Sequence, residues 1–185
     1  MQNYISLAQI DEIAQTIRKQ ISIQPLVGII LGTGINDLAD SVQQAVHIAY
    51  GDLPDFPVST VFGHVGRFVI GELEGRPVFV MQGRIHYYEG YTMGQITLPV
   101  RVMQRLGISS MIVTNAAGGV HPDFIPGDVM LITDQLNLMG MSGLNPLMGP
   151  NLDEIGPRFP DMSQPYDREY CELARKTAKE KKITL

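Results

Sequence analysis

Apolar residues along this chain recur at helical spacing in some stretches and run together in others, and the two patterns alternate. Leu7, Ile10, Ile13, Ala14 and Ile17, separated by polar residues, predict an amphipathic helix over 6–20 with Ser6 as N-cap. The run 26–31 predicts a short strand ending in Gly32-Thr33-Gly34, after which 35–42 has helical character. Residues 67–73 and 77–82 read as two strands around Glu74-Gly75, a hairpin signal. Thr92 with Gln95 is a capping-box pattern, and Ile96, Pro99, Val100, Met103 and Leu106 mark the buried face of a helix that Gly107 ends. Pro99 inside that span predicts a kink or an early break. Met111, Ile112 and Val113 predict a strand buried on both faces, which closes a strand-helix-strand unit. A further apolar strand is expected at 129–133. Glycines and prolines over 139–165 predict a long ordered loop, and loops of that length are usually functional. Ser163 is placed to cap a last helix over 165–181 with Tyr170, Leu173 and Ala174 inward, and 183–185 reads as the opening of another strand. The pattern as a whole is a single α/β domain over 1–185, a mixed central sheet flanked by helices.

Composition narrows the function. A chain of 185 residues suits one domain, and 44% hydrophobic with 18% charged residues is globular, too apolar for disorder and too broken by charge for a membrane span. The net charge of −5, with no Lys/Arg stripe outside the last helix, argues against a large nucleic-acid footprint but leaves room for a local pocket holding one anion. Asp11, Glu12, Arg18 and Lys19 interrupt any secretory h-region, so a cytoplasmic location is expected. Cys171 is the only cysteine, so one chain builds neither a disulfide nor a cysteine-rich metal site. Met139, Met141 and Met148 cluster in one loop, either as core filling or as an adaptable apolar pocket.

Four stretches carry candidate chemistry. In SMIVTNAAGGV, 110–120, an apolar run breaks at Asn115 into small residues that let a backbone turn tightly and present N–H groups. It is either a plain strand-to-loop turn or a ligand site at a strand's carboxyl end. Gly32-Thr33-Gly34 offers amides and a hydroxyl to an anion, but lacks the glycine spacing of dinucleotide-binding turns and the lysine of a P-loop. In GRIHYYEGY, 83–91, an extended backbone would put Arg84, His86 and Tyr88 on one face at about 6–7 Å intervals. Arg84 supplies a fork for two oxygens of a phosphate, His86 a further donor, and Tyr88 would stand near whatever the anion reacts with. Glu89 would orient His86 only if its side chain crossed from the opposite face. The proline-punctuated loop 52–57 leads to His64 between two glycines, which is either idle or part of a mobile cover.

Taken together, LGTG at 31–34, FGHVGR at 62–67, QGRIHYYEGY at 82–91, VTNAAGGV at 113–120, GDVMLITDQLNLMG from Gly127, and NPLMGPN followed by GPRFPDMS resemble the trimeric purine nucleoside phosphorylases. The resemblance covers nearly the whole chain. Methylthioadenosine phosphorylases are close relatives, and GRIHYYEGY is more similar to the branch acting on inosine and guanosine. The resemblance implies a phosphorylase-like fold and a pentosyltransferase of purine salvage. Its reaction would be reversible phosphorolysis of purine (2′-deoxy)ribonucleosides to base and (2-deoxy)ribose 1-phosphate, with phosphate as co-substrate and no cofactor or metal.

The same resemblance implies a phosphate site of Thr33, His64, Arg84, His86 and the Ala116 amide, with Arg84 and His86 catalytic. It implies that Tyr88 contacts ribose and that Phe159 covers the ribose of a neighbouring subunit, hence a homotrimer. Thr33 stands where the family usually has Ser, and Gln135 where it often has His. The family's purine-holding Glu and Asn, its Met-Ser pair and its ribose-side His lie beyond a position like Leu185. The chain is therefore expected to be incomplete at its C-terminus, and alone to be inactive or a phosphate- or nucleoside-binding module. A nucleoside hydrolase is a further alternative, disfavoured because no clustered Asp motif is visible.

Overall fold

The computed structural model describes residues 4–32, 34–59 and 65–185; Thr33 and His64, two of the expected anion contacts, lie outside the described residues. Packing divides the chain into two units: Met1–Ala116 with Pro146–Ile155, and Ala117–Asn145 with Gly156–Leu185.

The first unit holds α1 (Leu7–Arg18), β1 (Val27–Ile30), β2 (Gln43–Ala49), β3 (Arg67–Leu73), β4 (Arg76–Gln82), α2 (Met93–Arg105) and β5 (Ser110–Val113). One five-stranded sheet runs in the order β2-β3-β4-β1-β5, with β1 parallel to both β4 and β5 and β2-β3-β4 antiparallel. The β3–β4 hairpin closes through Glu74 and Gly75, both at positive φ, the turn whose twist matches that of paired strands.

Alternation along the strands buries both faces. Phe68 and Ile70 of β3 and Phe79 and Met81 of β4 face a core completed by Ile10, Ile13 and Ile17 of α1 and Leu98, Val102 and Met103 of α2. Val69, Val78 and Val80 face the other way, against Ala39 and Val42 around the 3₁₀ helix Asn36–Ser41. Both helices begin at the caps their sequences predict: Ser6 is the N-cap of α1, where Gln9 completes a capping box, and Thr92 and Gln95 form the capping box of α2. Arg105 clamps Asp11 through two nitrogens, and Arg18 donates to the Arg105 carbonyl, which ties α1 to α2. Among the described residues no helix is long and apolar enough to cross a membrane.

Several expectations are corrected. The helical character of 35–42 is a six-residue 3₁₀ helix, and β2, which the sequence did not reveal, follows it. β5 is not buried on both faces: among the described residues it pairs with β1 alone, and Met111, Ile112 and Val113 are 43%, 53% and 49% exposed. Apolarity there reports what the strand is able to bury, while burial needs a neighbour on its outer side. α2 runs unbroken through Pro99, and its inner face is Leu98, Pro99, Val102 and Met103, with Val100 turned outward.

The second unit holds α3 (Leu138–Met141) and α4 (Arg168–Lys181). α4 is capped by Asp167, whose side chain accepts from the Tyr170 amide at 2.9 Å, and not by Ser163. Its least exposed positions are the small residues Cys171, Ala174 and Ala178 at i, i+3 and i+7, so Tyr170 and Leu173 point to solvent. Residues 129–133 form no strand, and Val129 and Met130 are exposed. Residues 183–185 form none either; the Ile183 amide donates to the Ala178 carbonyl at 2.8 Å, closing the end of α4 behind left-handed Lys182.

Candidate active site

β1, β4 and β5 run parallel with Ile30 paired to Met81 on one side and Val113 on the other, so their carboxyl ends share one edge of the sheet. Ligands of open α/β sheets sit outside that edge. The residues leaving it are Gly32, Gly83-Arg84 and Thr114-Asn115.

Thr114 organises the edge. Its hydroxyl donates to the Ile30 carbonyl at 3.0 Å and accepts from the Gly32 amide at 2.9 Å. Its carbonyl accepts from Arg84 Nη1 at 2.7 Å, which fixes the plane of the guanidinium. Arg84 Nε donates to His86 Nε2 at 3.3 Å. Nδ1 of the same ring lies 3.3 Å from Glu89 Oε1.

The local backbone explains why these groups meet. Gly83, at φ +90°, takes the chain out of β4, and a 3₁₀ turn at Tyr87–Glu89 follows, closed by Gly90 at φ +92°. In such a turn i and i+3 eclipse. Glu89 therefore swings under His86, where a strand would have sent it to the opposite face. Its carboxylate accepts from the His86 amide at 2.7 Å and from Ser59 Oγ at 3.2 Å, and its side chain is 1% exposed. Tyr88 stacks on the His86 ring, centroids 4.9 Å apart at 13°, yet is 72% exposed. Arg84, His86 and Tyr88 are thus adjacent, through a turn and not through strand alternation.

Ala116 lies just beyond Thr114 and is exposed; its amide makes no hydrogen bond to another described residue. Phe159 lies in the second unit, 86% exposed. Among the described residues no group of three or more His, Cys, Asp or Glu is arranged to hold a metal ion. An apolar groove of about 430 Å³ lies elsewhere, between α2 and the 146–155 segment and lined by Val100, Met111 and Leu147; burial there pushes the Arg101 guanidinium below its usual range.

Supporting residues escaped the sequence reading. Tyr50 is fully buried beside Phe56 and Phe68, and its hydroxyl donates to the Gly83 carbonyl at 2.6 Å. Burial raises its phenol pKa well above the ordinary value. Tyr50→Phe removes the only polar atom of a side chain that otherwise packs as carbon. It is expected to cost about 1–3 kcal/mol of unfolding free energy in urea titration, because the Gly83 carbonyl is left without its donor. Thr114 carried one signal, a hydroxyl at the apolar-to-small transition. Tyr50, in an unremarkable stretch, carried none.

A family model described as the phosphorylase superfamily matches residues 26–185. The chain belongs to the phosphorylase superfamily. Within it, the chain is 52% identical over 169 residues to purine nucleoside phosphorylase 1 of Geobacillus stearothermophilus, covering 91% of this chain and 61% of that protein. It is 50% identical over 177 residues to purine nucleoside phosphorylase 1 of Bacillus subtilis (strain 168), covering 96% of this chain and 64% of that one. Among solved structures, isoform 2 of the Schistosoma mansoni purine nucleoside phosphorylase, in complex with cytosine and ribose-1-phosphate, superposes with a TM-score of 0.92 at 41% identity. That match covers 98% of this chain and 64% of the other. The chain therefore spans less than two thirds of the length of these phosphorylase relatives, and its mixed five-stranded sheet is that of their fold.

Proposed function

We propose that residues 1–185 form one nucleoside phosphorylase-like α/β domain carrying the phosphate side of a purine nucleoside phosphorylase. The whole protein's reaction would be reversible phosphorolysis of purine (2′-deoxy)ribonucleosides to base and (2-deoxy)ribose 1-phosphate. The observation that carries this reading is the Arg84 guanidinium, anchored on the Thr114 carbonyl and lying against His86 at the carboxyl edge of three parallel strands.

As the glycosidic bond lengthens, the sugar becomes cationic. A phosphate held beside its anomeric carbon stabilises that charge and is also the nucleophile, so positioning and electrostatics supply the rate enhancement. Arg84 and His86 bind the anion, with Thr33, His64 and the Ala116 amide completing the shell. Tyr88, standing outward from His86, contacts the ribose. Phe159 of one copy covers the ribose of its neighbour in a homotrimer, which excludes water and favours phosphorolysis over hydrolysis. Phosphate is a co-substrate, and the reaction draws on no organic cofactor or metal. A cytoplasmic location fits a nucleoside-salvage role.

The test is to incubate the protein with inosine, with and without inorganic phosphate, and to measure hypoxanthine and ribose 1-phosphate alongside phosphate binding by calorimetry. Saturable phosphate binding is expected, and any base release should require phosphate and yield ribose 1-phosphate. Release at equal rate without phosphate would move the assignment to a hydrolase, and a protein that binds no phosphate would overturn it.

A further inference from the structure

Gln82 is the buried polar side chain among the core residues described, 4% exposed at the end of the apolar run of β4. An amide in that position is costly unless bonded on both sides. Its Oε1 accepts from Arg67 Nε at 2.7 Å, and its Nε2 donates to the Asn36 backbone carbonyl at 3.1 Å. Its own carbonyl accepts from the Gly66 amide at 3.1 Å, and its chain neighbour is Gly83, which leads into Arg84. One residue therefore touches the turn that follows β1, the segment that enters β3, and the exit of β4.

The other contacts in this cluster are weaker holds. Arg67 also reaches Asp40, but at 3.7 Å and with the carboxylate solvated, so that pair adds little. Asn36 Oδ1 is buried without a hydrogen-bond partner among the described residues, so that oxygen does not fasten the turn, whereas the Asn36 backbone carbonyl does. A leucine or methionine would fill the same volume as the rest of β4 does; only an amide accepts from Arg67 and donates to Asn36 at once.

We infer that Gln82 is a positioning residue of the anion site: it fixes the Gly34–Asn36 side of the glycine turn and the start of β3 relative to Arg84. The identity of the anion as phosphate rests on the function proposed above; the positioning itself does not.

Gln82→Met removes both hydrogen bonds at similar volume. Gln82→Glu keeps the acceptor for Arg67 and turns the donor toward Asn36 into a second acceptor. The readouts are amide hydrogen exchange and the Kd for inorganic phosphate. Ile35, Leu38 and Gly66, whose amides bond to Gly32, Ile35 and Gln82 carbonyls, report the turn; Leu26, bonded to Pro77 at the far end of the sheet, is the control. Both variants are expected to raise exchange at the three reporters about tenfold with the control unchanged, and to weaken phosphate about tenfold. Unchanged exchange at the reporters in a folded variant overturns the inference. So does acceleration at Leu26 equal to that at the reporters, which would make Gln82 a general stabiliser. If Gln82→Met does not fold, the near-isosteric Gln82→Glu decides by the same comparison. A parent chain that does not bind phosphate sinks the proposed function, while the exchange comparison still decides the role of Gln82.

Discussion

Arg84→Ala is expected to weaken inorganic phosphate about a hundredfold or more in calorimetric titration. Hydrogen bonds between charged groups contribute about 1.5–3 kcal/mol each, and a guanidinium facing a phosphate makes them in pairs. The substitution also removes the donor to the Thr114 carbonyl and to His86 Nε2, so two further groups lose the partner that aims them. Arg84→Lys restores charge without the fork and should recover only part of the affinity. Tyr88→Phe serves as the contrast: that ring is mostly exposed and meets the site through stacking on His86, so its hydroxyl should matter little for phosphate. Equal phosphate affinity in Arg84→Ala, Tyr88→Phe and the parent would remove Arg84 from the site.

Gly32→Ala is the second large effect. A Cβ at Gly32 would sit 2.7 Å from the Thr114 carbonyl oxygen and 2.8 Å from the Asn115 Cα. Both are backbone atoms, so no rotamer change relieves the contact, and the exits of β1 and β5 must separate. That separation breaks the Gly32 amide to Thr114 hydroxyl bond and shifts the carbonyl that anchors Arg84. Overpacking and the lost bond together should cost about 2–4 kcal/mol in urea unfolding with an unchanged slope. Phosphate affinity should fall at least about tenfold, since Arg84 loses its orientation. Gly34→Ala separates geometry from crowding: Gly34 sits at φ +98° with nothing within 4 Å of the place a methyl group would take, so it should show only the backbone strain of about 1–2 kcal/mol. A Gly32→Ala protein as stable as Gly34→Ala would refute the close-approach argument.

What was legible in the sequence was local. The Ser6 cap of α1, the capping box of α2 and the Glu74-Gly75 hairpin follow from a few adjacent residues, and each stands where its chemistry placed it. The pairing of Arg84 with His86 was legible too, though its mechanism was not, because a 3₁₀ turn at Tyr87–Glu89 brings Glu89 under His86 where strand alternation would have sent it away. β2 stayed hidden since a register shift between Gln43 and Val46 breaks its alternation. β5, 129–133 and the outward residues of α4 share one cause: an apolar side chain records a capacity for burial, and the partner that uses it is set elsewhere in the fold. Thr114, Tyr50 and Gln82 act through backbone atoms distant in sequence, and no pattern along the chain encodes such contacts.

The strand register also sets an order of assembly. β3 and β4 close on each other with Leu73 meeting Arg76, so this hairpin needs little loop closure, while β2 joins β3 across residues 50–66. β1 precedes all of them in the chain, yet its Val27 pairs with Val78 on one side and Ser110 on the other. β1 therefore gains its second neighbour only once the chain through β5 has been delivered, and until then it waits, largely apolar. Such long-range parallel pairing is slow and leaves the waiting strand open to wrong partners, so this interior strand is the point at which folding is most exposed to error.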